Sequence, residues 1–86
     1  MTKHQTKLLA QALKKAFHGQ VEAESINGHG RYRFTVTSKA FAKMPQLRRQ
    51  DAIWKIVDQT LPRDAVLDIS IILAFDPADL ALSAGK

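Results

Sequence analysis

Residues 41–61 read FAKMPQLRRQDAIWKIVDQTL, and their spacing predicts a long amphipathic helix from Phe41 to Leu61. Pro45 suits the first helical turn, where its missing N–H would have had no partner in any case. Pro62 bars the helix from continuing, because it lacks a donor and its ring clashes with the preceding turn. Ile53, Trp54, Val57 and Leu61 fall on one side as a stripe to bury. Arg48, Asp51, Lys55 and Gln59 run along the opposite side, where water or a partner meets them. The rest of the chain reads as a small scaffold built to hold this helix.

On the N-terminal side lie two strands. Arg31 to Thr37 alternates Tyr32, Phe34 and Val36 with Arg31, Arg33, Thr35 and Thr37, a period of two. Val21 to Ile26 is the weaker strand, and Asn27-Gly28-His29-Gly30 is a turn by composition. Closing a hairpin on that turn pairs Ile26 with Arg31, Glu24 with Arg33 and Val21 with Val36. The register is self-consistent, since the apolar sets coincide and Glu24 meets Arg33. Arg31 and Arg33 therefore have two readings, a basic grip for a ligand or partners for Glu22 and Glu24. One sheet face becomes core and the other polar.

Before the hairpin, residues 4–17 form a first helix with Leu9, Leu13, Ala16 and Phe17 as its buried stripe. Its charges are all positive, and Gly19 is placed to close it in a left-handed cap. Ser38 is expected to cap a short turn, Lys39 to Lys43, that drops Phe41 into the core.

Beyond Pro62, Arg63 and Asp64 connect to a third strand, Ala65 to Phe75. Leu67, Ile69, Ile71, Leu73 and Phe75 form its unbroken apolar face, and Val66, Asp68, Ser70, Ile72 and Ala74 form the other. Asp76-Pro77-Ala78-Asp79 then opens a last helix. Asp76 is its N-cap and Asp79 bonds back, and residues 83–86 are expected to fray.

The resulting order is α-β-β-α-β-α. The second and third strands, joined by the long helix, make a right-handed crossover and run parallel. The expected architecture is a single α+β domain over residues 1–86. It has a three-stranded mixed sheet with helices on one face.

Composition excludes several function classes. The 86 residues contain no Cys, so there is no disulfide framework, thiol nucleophile or thiolate metal site. No apolar run approaches the ~20 residues of a bilayer span, and the N-terminus lacks a secretory pattern, so the expectation is cytoplasmic. Residues 1–63 hold twelve Lys and Arg against four acids, a balance of +8, while residues 64–86 hold Lys86 against four acids, −3. Such a basic body attracts polyanions or acidic protein surfaces. His4, His18 and His29 sit on different elements without metal-ligand spacing, and no motif brackets Ser25 as a nucleophile. No enzyme is expected.

VEAESINGHG, RYRFTVTSKAF, the Phe41-to-Trp54 segment and FDPADL together resemble the BolA-like family over nearly the whole chain. The family's Phe…Arg-His-Arg…aromatic segment is met by Phe41, Arg49 and Trp54, with Gln50 and Asp51 in place of its His and second Arg. Its hallmark His near the third strand is Asp68 here, which makes this a divergent member. The resemblance implies a class II KH-like fold and a monothiol glutaredoxin partner. It also implies a shared [2Fe–2S] cluster, with His29 and Asp68 at the family's ligand positions. A carboxylate suits cluster iron poorly, so cluster ligation is expected to be weakened or absent. The function expected is a non-enzymatic protein–protein adaptor in iron–sulfur and redox homeostasis. The alternative is a basic nucleic-acid-binding transcriptional regulator with weak affinity. In either case the contact surface is expected on Lys43, Arg48, Arg49 and Lys55, with Arg31.

Overall fold

The computed structural model describes residues 1–26, 28 and 30–79. Their order is α1 (Lys3–Phe17), β1 (Gln20–Ile26), β2 (Arg31–Thr37), a 3-10 turn (Lys39–Phe41), α2 (Gln46–Thr60), α3 (Arg63–Val66) and β3 (Ile69–Phe75). The sheet runs β1-β2-β3, with β1 antiparallel and β3 parallel to the central β2.

α1 starts in a reciprocal cap. Gln5 N–H donates to the Thr2 hydroxyl at 3.0 Å, and Thr2 N–H donates to the Gln5 side chain at 2.9 Å. It ends one residue earlier than the glycine suggests. His18, not Gly19, takes the left-handed conformation, with φ 51°. Gly19 has a different reason to be glycine: a Cβ there would sit 2.1 Å from the Thr37 carbonyl oxygen. The chain passes from α1 into β1 against the end of β2, and only a residue without a side chain fits.

The hairpin register matches the expectation pair by pair, with Ile26 opposite Arg31, Glu24 opposite Arg33 and Val21 opposite Val36. Arg33 Nη2 donates to Glu24 Oε1 at 2.7 Å, so for Arg33 the ion-pair reading holds. Ser38 accepts from Ala40 N–H at 3.1 Å and seats the 3-10 turn, and Phe41 is fully buried. Pro45 stands at the N-cap of α2 rather than inside its first turn, and Pro62 caps α3. That four-residue helix departs from the strand the sequence pattern predicts from Ala65, since Ala65 and Val66 are helical and β3 starts at Ile69. Without its own apolar periodicity, so short a turn leaves no signal.

The core is built from α1 (Leu9, Leu13), β2 (Phe34, Val36), α2 (Ile53, Val57) and β3 (Ile69, Ile72, Ala74), with Phe41, Leu61 and Ala65 closing it. Both long helices lie on one side of the sheet, as expected.

β3 turns opposite faces from those its pattern suggests. Tyr32 pairs with Ile69 but Arg33 pairs with Ile71, so Ser70 is an extra residue and the strand's parity changes there. Ile72 and Ala74 are each 2% exposed, whereas Ile71 is 46% exposed on the open face. The row Ile71, Leu73, Phe75, expected as one face with Ile69, lies outside it. The same parity points Asp76 inward, and this buried acid is where α2 finds its partner.

Candidate functional site

The residues expected to carry function fall into two groups that the fold keeps apart. Parallel strands bring their starts together, and Tyr32 N–H donates to the Asp68 carbonyl at 2.9 Å. Asp68 therefore lies beside the start of β2, where Arg31 is exposed. His29 falls outside the described residues, between Gly28 and Gly30, whose φ values of 65° and 74° require glycine's freedom. Arg31 forms no ion pair with Asp68. Instead the Met1 ammonium donates to Asp68 Oδ2.

The second group sits on α2, which runs antiparallel to β3. Its first turn lies by the end of β3, because Gln46 Nε2 donates to the Ala74 carbonyl at 3.0 Å. Lys43 and Arg48 are exposed at that end, remote from Asp68, and Lys55 is exposed two turns further along. With Met44, Leu47, Asp51 and Ala52, Arg48 and Lys55 line a shallow surface groove of about 570 Å³.

Arg49 does not belong to that surface. Sequence spacing placed it beside Arg48 as a contact residue, but it is 7% exposed and lies in the row of Ile53 and Val57. Its Nε donates to the Met44 carbonyl at 2.8 Å, and its Nη1 donates to the Ala74 carbonyl at 3.2 Å and to Asp79 Oδ2 at 3.1 Å. Asp76 Oδ2 lies 3.8 Å from Nη2, and the guanidinium carbon sits 5.8 Å from the centre of the Phe41 ring. A planar, permanently charged fork with five donors suits a site with several acceptors from different directions. The next residue is also structural: Gln50 donates to the Ile72 carbonyl at 2.8 Å and accepts from the Trp54 indole at 3.1 Å.

The acids that meet Arg49 also cap the turn after β3. Asp79 N–H donates to Asp76 Oδ1 at 2.8 Å, and Asp76 N–H donates to Asp79 Oδ2 at 3.0 Å. These hydrogen bonds, first from the Asp76 amide and then from Arg49, hold the Asp79 carboxyl below its ordinary pKa of 3.8. The cap was legible in FDPADL, but its link to Arg49 was not. Leu80 to Leu82 and the tail expected to fray lie outside the described residues.

Among the described residues, the donor at the Asp68 end does not fit an iron–sulfur cluster. Asp68 offers hard carboxylate oxygen where cluster iron takes thiolate or imidazole. Among the described residues no group of three His, Cys, Asp or Glu could hold a metal ion. No described helix is long and apolar enough to cross a membrane.

No protein-family model and no curated protein matches this sequence. Among solved structures, the chain is similar to BolA1 from Arabidopsis thaliana, with a TM-score of 0.71 and 15% identity. That similarity spans 91% of this chain and 98% of the other. Its helix pair over a mixed sheet with a parallel β2–β3 crossover, matched along almost the full length of both chains, gives this protein the BolA-like fold.

Proposed function

We propose that this protein is a non-enzymatic binding module that engages a monothiol glutaredoxin as a protein–protein adaptor, without Asp68 acting as a cluster ligand. The observation that carries the reading is the BolA-like fold over 91% of the chain. Its β2 and β3 starts are joined at Tyr32 and Asp68, so the loop from Ile26 to Arg31 and Asp68 share one end of the sheet. A carboxylate there keeps the surface and discards the soft donor. The nucleic-acid alternative draws less support, because burial of Arg49 leaves Arg48 and Lys55 on α2, with Lys43 before it, as its cations.

The test mixes the protein with a recombinant monothiol glutaredoxin, with and without iron–sulfur reconstitution, and follows co-elution and visible absorbance. The expected result is a complex of equal affinity in both conditions, with no cluster spectrum contributed by this chain. Asp68→His should then add or strengthen a cluster spectrum. No complex under either condition overturns the adaptor reading, and a complex that forms only with a cluster overturns ligand-free docking.

A further inference from the structure

β3 reads ISIILAF, seven residues with no charge, no Pro and no Gly. It occupies an edge of the sheet, with β2 on one side only. Short segments of this composition on a sheet edge are templates for pairing with another chain. Its outer row makes the hazard sharper, because Ile71 is 46% exposed and Leu73 and Phe75 are half-buried on the open face.

The carbonyls of Ile72 and Ala74 nevertheless have partners. Gln50 Nε2 reaches Ile72 at 2.8 Å, while Gln46 Nε2 and Arg49 Nη1 reach Ala74 at 3.0 and 3.2 Å. All three donors come from α2 at positions i, i+3 and i+4, one flank of the helix. Arg49 is anchored by Asp76 and Asp79, and Gln50 by Trp54, so two of the three donors are fixed from behind.

We propose that Gln46, Arg49 and Gln50 form an intramolecular guard on the edge of β3. They occupy the acceptors that the β3 strand of a second copy of this chain would otherwise take. The second copy is the occupant that the chemistry favours. ISIILAF carries no charge to repel itself, and antiparallel pairing about a two-fold axis would continue the Ile71, Leu73, Phe75 row into the same row of the partner. The acceptors lie two residues apart, the spacing at which one strand faces an added neighbour.

The double variant Gln46→Ala/Gln50→Met removes two guard donors and keeps apolar volume beside Trp54. Sedimentation velocity over a hundredfold concentration range should show the unaltered protein monomeric and the variant self-associating at least tenfold more tightly. Adding Ile71→Lys to the variant should restore the monomer, because a charge on the edge's open face opposes pairing. A double variant that stays monomeric across the range overturns the proposal. So does association that Ile71→Lys leaves unchanged, since it then runs through another surface. If circular dichroism shows the double variant unfolded, the single Gln50→Met, which frees the Ile72 carbonyl and leaves Ala74 its donors, decides. Association reversed by Ile71→Lys supports the guard, and a monomer overturns it.

Discussion

Arg49 and Asp79 stand thirty residues apart in the chain and 3.1 Å apart in space, guanidinium Nη1 to carboxylate Oδ2. The contact joins the start of α2 to the capped turn that follows β3, and Asp76 lies on the same guanidinium at 3.8 Å. Two elements that a sequence pattern treats separately are thus held by one cation.

Arg49→Met should cost about 3 kcal/mol, because Asp76 is 6% exposed and would be left as a buried acid without its cation. Arg48→Glu and Lys55→Glu, both on the wet face of α2, should each stay within about 0.5 kcal/mol. Urea denaturation with an unchanged m-value measures all three. Equal losses at positions 48 and 49 would show that the buried cluster adds no stability.

Asp79 sets an acid dependence. Its carboxyl is held below the ordinary value of 3.8 in the folded chain, so the charged form is favoured by folding. The stability it adds is present above about pH 4 and is lost as pH falls through the lowered folded value. Asp79→Asn should therefore flatten the decline in melting temperature as pH falls below about 4, while lowering stability near neutrality. The comparison is a thermal scan of both proteins across that range. Parallel curves would remove Asp79 as a contributor.

The face of β3 is tested by two neighbouring isoleucines. Ile72→Ala should cost about 2–4 kcal/mol, since the residue is 2% exposed among the core side chains. Ile71→Ala, 46% exposed on the open face, should cost less than about 1 kcal/mol. Reversed values in guanidinium denaturation would place the bulge at Ser70 in error.

The sequence by itself determined what rests on near neighbours. The β1–β2 register followed from alternation and a four-residue turn, and the Asp76–Asp79 cap followed from side chains three residues apart. The parallel crossover followed from handedness. Tertiary structure decided the rest, because those outcomes depend on contacts between distant segments. An arginine in a doublet looks solvated until Asp76 and Ala74, more than twenty residues on, supply its acceptors. The pattern of β3 favours the face of Ile71, Leu73 and Phe75, and only the bulge opposite β2 turns Ile72 and Ala74 inward instead. Periodicity measures how a segment could bury itself, whereas the selected face depends on which neighbour arrives to cover it.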